Sequence, residues 1–241
     1  SSEMKEIKKI CRKKNIKILE DNCEAIGSKI GKKYLGTVGD VGTFSFDFGK
    51  IITTGEGGMI LTNNKKIYKY CKEYHDHGHE NNPNFPRGKD TKSIYGFNYR
   101  MTELQGVIGK VQLKKLNFLI NENKKRYKKL LNIIQNKFEI RSIPRNTYPN
   151  YDTFIFFEKN YKKRKKILKK IKLNKMGTKN LPDAIEWHCS YYWSHALPKK
   201  QLKKSAKTKK MLKNAIAIPI NIKTSVKNYI NLANDIASIN R

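Results

Sequence analysis

Apolar residues early in the chain fall at Met4, Ile7, Ile10 and Cys11, a spacing of three and four that predicts a helix over Glu3–Asn15. The period then changes. Ile16-Lys17-Ile18-Leu19 reads as a short buried strand ending in Glu20-Asp21. A helix followed by an apolar strand that ends in acid is the unit of a parallel α/β sheet, where ligands gather at strand C-terminal ends. Lys29–Leu35 predicts a small hairpin turning at Gly31-Lys32, and Thr43–Phe46 a further strand. Ile51–Thr54 and Met59–Thr62 flank Gly55-Glu56-Gly57-Gly58 and predict two strands joined by a tight glycine turn. Lys65–Tyr74 is a helix that gives way to a polar loop of His, Asn, Pro and Gly reaching about Phe97.

Thr102-Glu103-Leu104-Gln105 has the form of a capping box, and it opens a long helical pattern running from Leu104 to Ile134. A second domain is expected to begin within that helix, dividing the chain into 1–118 and 119–241. Beyond it, Tyr151–Glu158 predicts a strand, Lys162–Leu173 a basic helix and Ala215–Ile220 a last strand. Ile167, Leu168 and Ile171 of the basic helix can cover a small sheet while its lysines face water. The same pattern also suits a membrane-surface helix or one that meets an acidic partner. The expected fold class is α/β: part of a large domain with a mainly parallel sheet, plus a smaller α+β C-terminal domain.

At 241 residues, 38% hydrophobic and 10% aromatic, the chain can bury a core. Its formal charge of +32 comes from 52 Lys+Arg, of which only eight are Arg. Arg dominates bidentate recognition of bases and phosphates. A lysine excess beside abundant Asn and Ile is what an AT-rich genome produces, and the basic residues are spread through every segment, so a nucleic-acid partner is not expected. Cys11, Cys23, Cys71 and Cys189 form no C-x-x-C pair, which fits neither a zinc site nor a disulfide scaffold. No apolar run approaches the ~18 residues of a membrane span. These features lead to an expectation of a cytoplasmic protein without a membrane partner.

Asp21 ends one buried strand, Ser45 another, and Lys50 follows the apolar, glycine-rich Phe46-Asp47-Phe48-Gly49. An amine, a carboxylate and a hydroxyl at neighbouring strand ends suit pyridoxal phosphate. The Lys would form a Schiff base with its aldehyde and the Asp would pair with its ring nitrogen. From residue types alone, an accidental surface pair of Lys and Asp stays open. Gly55–Gly58 lacks the G-x-x-x-x-G-K-[ST] form of a phosphate loop. His75, His77 and His79 alternate in a loop without acidic or Cys partners, so no metal is expected.

The wording of whole blocks adds a family. Glu20–Gly27, Gly36–Phe46, Lys50, Thr53–Gly58 and Gly96–Gln105 resemble, in order and spacing, the DegT/DnrJ/EryC1/StrS sugar aminotransferases, of the fold-type I pyridoxal phosphate class. The resemblance implies that Lys50 bonds the cofactor and carries the catalytic proton, and that Asp21 partners the pyridine nitrogen. It likewise implies that Ser45 binds the phosphate and that Asn98 reaches the phosphate of a neighbouring subunit's cofactor in a homodimer with shared active sites. Glu24 stands where the family usually has Gln or His, near the ring's 3-hydroxyl. Ser45 could instead satisfy a backbone group, and Asn98 could cap the helix near Thr102.

Related sugar 3-dehydratases carry His in place of the Schiff-base Lys, so Lys50 points to the transaminases. Asp47–Lys50, His77–Pro83, Gly177–Ala184 and Trp187-His188 are similar to a subgroup acting on sugar acids and nucleotide sugars of surface polysaccharide. The wording resembles that of the 8-amino-3,8-dideoxy-octulosonate transaminases, a resemblance that implies glutamate as donor. His188 reads equally as a substrate contact or a buried structural residue. The expected partners are an amino-acid donor and a keto-sugar or nucleotide-sugar acceptor. Family members carry more residues before the point matching Ser1, including the helix N-terminus that cradles the phosphate. The chain is therefore expected to be the C-terminal part of an enzyme, binding cofactor weakly alone. The alternatives are an inactive, dimerising or regulatory relative, and a polyanion-binding protein.

Overall fold

The computed structural model describes residues 2–240, with side chains placed for 4–239. Along the chain run α1 (Ser2–Lys13), β1 (Leu19–Asp21), β2 (Lys29–Ile30), β3 (Lys33–Tyr34), β4 (Val41–Ser45), β5 (Gly58–Leu61), α2 (Lys65–Tyr74) and α3 (Glu103–Ile134). They continue with β6 (Glu139–Ile140), β7 (Thr147–Tyr148), β8 (Thr153–Phe157), α4 (Tyr161–Leu173), α5 (Ile185–His188), α6 (Lys199–Lys204), α7 (Ala206–Asn214), β9 (Ala215–Pro219) and α8 (Val226–Ala237). Two compact units result, one of residues 1–117 with 144–150, the other of 118–143 with 151–241.

In the first unit, β1 pairs in parallel with β4, Asp21 opposite Thr43, and β4 pairs antiparallel with β5. The sequence leads one to expect a mainly parallel sheet. Over these three strands it is mixed, because the β4–β5 link folds back on itself, Thr53 and Thr54 bonding to the Phe46 carbonyl, and forms no helix to carry a crossover. A second ladder, β3-β2-β7, brings residues 147–148 of the returning segment to the hairpin. Gly31, with φ +57°, makes that hairpin's turn.

Two expected strands differ. Pairing begins at Leu19 instead of Ile16, because the Ile18 backbone is taken by Asp40: its N–H donates to Asp40 Oδ2 at 2.8 Å and its carbonyl accepts from the Asp40 N–H. Ile51–Thr54 is no strand. Thr54 N–H and Thr53 Oγ1 both donate to the Phe46 carbonyl, each at 3.0 Å, closing residues 46–54 into a loop, and Ile52 is buried there as a plug. A β-branched run signals burial as readily as it signals a ladder.

The capping box has both its legs. Thr102 N–H donates to Gln105 Oε1 at 2.9 Å, and Gln105 N–H donates to Thr102 Oγ1 at 3.3 Å. Gln105 Nε2 also donates to the Glu56 carbonyl, fastening the start of α3 to the glycine turn.

The second unit folds around the antiparallel sheet β6-β8-β9. Phe154 and Phe156 of β8, Ile216 and Ile218 of β9 and Leu232 and Ile236 of α8 are fully buried in one cluster. Side chains of this size each stabilise by roughly 1.5–3 kcal/mol when buried. The free edge of β9 is covered: Ala217 exchanges backbone bonds with Lys179 and Leu181.

Candidate active site

Cross-strand neighbours share a face of a sheet, and residues two apart along a strand return to it. Asp21, its partner Thr43 and then Ser45 therefore line one face of β1 and β4, while Phe44 lies on the other. The apolar face lines a cavity of about 660 Å³ with Ile52, Met59, Leu61 and Leu113. The polar face carries the chemistry.

Lys50 is delivered to it by the closed loop. Phe46 N–H donates to the Gly57 carbonyl at 2.8 Å, and a turn puts Lys50 N–H on the Asp47 carbonyl at 3.0 Å. The Lys50 side chain is only 15% exposed, and its Nζ forms an ion pair with Glu24 Oε1. Glu24 belongs to the turn that follows β1, held by Asn22 N–H on the Thr43 carbonyl and by Asn150 Nδ2 on Glu24's own carbonyl.

Hydrogen bonds from Cys23, with the Lys50 charge beside it, hold the Asp21 carboxyl below its usual range, so it is ionised. Burial first, and then Asp21, push the Cys23 thiol up. The thiol is a packed neighbour of the site and no nucleophile for it.

The structure thus brings Asp21, Glu24 and Lys50 into one cluster, with Ser45 on the same strand face. Ser45 Oγ accepts from Asp47 N–H at 3.4 Å, the backbone role the sequence also allows. Asn98 lies apart from these residues. Its backbone bridges Asp76, and its side-chain oxygen accepts from Arg100 N–H at 3.4 Å. It does not cap α3, whose box is filled by Thr102. His188 is exposed beside the exposed Trp187 in α5, which sets aside a buried structural role.

Sequence reasoning passed over Glu20. Its buried carboxylate accepts from the N–H groups of Gly36, Val38 and Gly39 at 2.9, 2.7 and 2.5 Å, clamping the 36–39 loop behind the strand that carries Asp21. The available signal was the alternation along β1, which sends Glu20 away from the face that Asp21 occupies.

The sequence profile of the DegT/DnrJ/EryC1/StrS aminotransferase family matches residues 1–236. The chain belongs to that family. The GDP-perosamine synthase of Escherichia coli O157:H7 is 38% identical over 133 residues, which cover 54% of this chain and 35% of the relative. The UDP-4-amino-4,6-dideoxy-N-acetyl-beta-L-altrosamine transaminase of Helicobacter pylori is 35% identical over 122 residues, covering 51% and 32%. The chain spans about a third of the length of these curated relatives.

Among solved structures, Helicobacter pylori PseC, an aminotransferase of pseudoaminic acid biosynthesis, matches with a TM-score of 0.78 at 21% identity, over 100% of this chain and 64% of that one. The E. coli GDP-4-keto-6-deoxy-D-mannose-3-dehydratase with bound hydrated PLP matches with a TM-score of 0.75 at 23% identity, over 98% and 63%. The fold is that of the pyridoxal phosphate-dependent aminotransferases, and the family's cofactor is pyridoxal 5′-phosphate. A sheltered amine, an ionised carboxylate and a hydroxyl on one sheet face fit that cofactor's aldehyde, ring nitrogen and phosphate.

Proposed function

We propose that the protein is a pyridoxal phosphate-dependent aminotransferase. It moves an amino group from an amino acid, glutamate, to a keto-sugar held as a nucleotide sugar or sugar acid, in the making of surface polysaccharide. The observation that supports this best is the Lys50 amine, largely sheltered from water at the strand ends, with the ionised Asp21 close enough for each charge to be felt by the other. The names of the curated relatives, synthases and transaminases of nucleotide-linked sugars, support the acceptor class.

When bound, the cofactor supplies an aldehyde and an electron-accepting ring. Lys50 Nζ is the amine that would hold the aldehyde and, as a free base, would carry a proton to and from the substrate's reacting carbon. Asp21 would hold a proton on the ring nitrogen, Ser45 Oγ would bind the phosphate, and Glu24, paired with Lys50 Nζ, would serve the ring's hydroxyl. Asn98, outside this cluster, serves the partner subunit's site in a homodimer. A lysine at position 50 supports amino transfer over dehydration, since its amine keeps the cofactor in place between half-reactions.

The test is covalent. The full protein, incubated with pyridoxal phosphate and reduced with borohydride, should carry the adduct on the Lys50 peptide, and a separate, unreduced sample should form 2-oxoglutarate from glutamate when a keto-sugar nucleotide is added. Lys50→Ala should lose both. An unmodified Lys50 peptide in the wild-type protein would refute the assignment.

A further inference from the structure

Helix α4 carries eight basic residues among thirteen and no acidic one. The structure sorts them by side. Ile167 and Ile171 are buried in the second unit's core, and the helix's one arginine turns the same way, Arg164 donating to the Glu158 carbonyl at 3.0 Å and to Asn214 Oδ1 at 3.4 Å. Lys162, Lys165, Lys166, Lys169 and Lys172 are exposed. At 3.6 residues per turn these five fall within an arc of about 120° and along about 15 Å of axis. Leu173, 64% exposed, lies inside the same arc about 20° from one edge, and Tyr161, 59% exposed, lies about 20° beyond the opposite edge with Lys165 Nζ 4.7 Å over its ring.

Five like charges so placed lie within one to two Debye lengths of each other, about 8 Å at physiological ionic strength, and repel. No acid in the helix offsets them. We propose that this face of α4 docks the protein on an anionic phospholipid bilayer, with the lysines at headgroup level and Leu173 and Tyr161 dipping into the interface. Lysine's compact, strongly hydrated charge suits a diffuse anionic surface. Base and phosphate reading favours arginine forks, and the only arginine here is spent inward, so a bilayer is favoured over nucleic acid. This departs from the sequence-based expectation of no membrane partner: what decides is that lysine alone remains on the outer side.

The experiment is co-sedimentation of the full protein with phosphatidylglycerol-containing vesicles, against vesicles of phosphatidylcholine alone. Binding should be confined to the anionic vesicles and should be lost near 1 M salt, where the Debye length is about 3 Å. Each lysine at such a surface is worth a factor of about five in partitioning, so K162Q/K166Q/K169Q should lower binding about a hundredfold. The triple K207Q/K210Q/K213Q on α7 makes the same change in net charge and should stay within about tenfold of wild type. The inference is overturned if anionic vesicles are not bound, if binding ignores salt or the α4 triple, if the α7 triple loses as much, or if duplex DNA at equal phosphate binds more tightly. Circular dichroism of both triples confirms that the comparison is between folded proteins.

Discussion

Glu20→Gln is the sharpest probe of how the site is held. The carboxylate is 6% exposed and takes three backbone donors, two on Oε1 from Val38 and Gly39 and one on Oε2 from Gly36. A glutamine keeps the size but has one acceptor oxygen. In its best orientation two bonds survive as neutral ones, each weaker by roughly 0.5–1 kcal/mol, and an NH2 group faces the Gly36 N–H. That last contact leaves a buried donor unmet at a cost of about 1–3 kcal/mol. The loop cannot move away to find water, because Gly36 sits against β4, where an added Cβ would lie 2.3 Å from the Phe44 ring. The sum is about 3 kcal/mol, softened somewhat because a buried charge is removed. Native-state hydrogen exchange reads it directly: the amides of Gly36, Val38 and Gly39 should lose protection by about a hundredfold. Glu20→Asp keeps the charge but shortens the reach, and should lose protection at the same three amides. If either variant leaves them within about threefold of wild type, the carboxylate is not the clamp and the reasoning fails.

Gly42→Ala should be worse tolerated than any side-chain change nearby. Its Cβ would meet the Gly36 carbonyl oxygen at 2.1 Å, backbone that no rotamer can relieve, so a loss above about 3 kcal/mol or failure to accumulate folded protein is expected in thermal melts. Asp76 tests the electrostatics of the polar loop. Burial raises its pKa, but the Arg100 hydrogen bond and the charges of Arg87 and Arg100 outweigh this and hold it below the usual carboxylate range. A group depressed in the folded state stabilises above its unfolded pKa, about 3.9, and that stability goes as pH falls through the folded value. Asp76→Asn should therefore melt below wild type at neutral pH, with the gap closing in acid. A gap that widened on acidification would refute the pairing.

Much of this was legible in the chain because local rules and tertiary packing agree there. The Thr102–Gln105 spacing gave the start of α3 with both legs of its box, and Gly31 gave the hairpin. Ile167 and Ile171 are the buried positions of α4 that its spacing implied. Lys50 and Asp21 were singled out by the family resemblance of the blocks that carry them, since residue types alone left an accidental pair open, and in the structure they share a neighbourhood. What was not legible depends on partners far off in sequence. The donors to Glu20 lie 16 to 19 residues away, and the Glu24–Lys50 pair spans 26. Ile51–Thr54 misled because its composition reports burial, while hydrogen bonds back to Phe46 decide that the buried segment is a loop.

The strands that present the site are short, three residues in β1 and five in β4, so ladder bonds alone fix little of it. Side-chain bonds to backbone do the rest, and they converge on its four corners. Glu20 fixes the loop behind Asp21, Asn150 reaches the Glu24 carbonyl and, through its N–H, Ser28 Oγ, Thr53 closes the Lys50 loop, and Gln105 holds the glycine turn to α3. The Glu20 bonds are buried and those of Thr53 and Asn150 at least partly so, which makes them costlier to lose than the exposed bond of Gln105. The amine at position 50 is thus placed by residues both near to it in sequence, such as Thr53, and far from it, such as Gln105 and Asn150, to which the proposed chemistry gives no part. Losing one such anchor should blur where Nζ stands before it unfolds the unit, and the sensitivity of cofactor attachment to Thr53→Ala or Gln105→Ala would separate placement from stability.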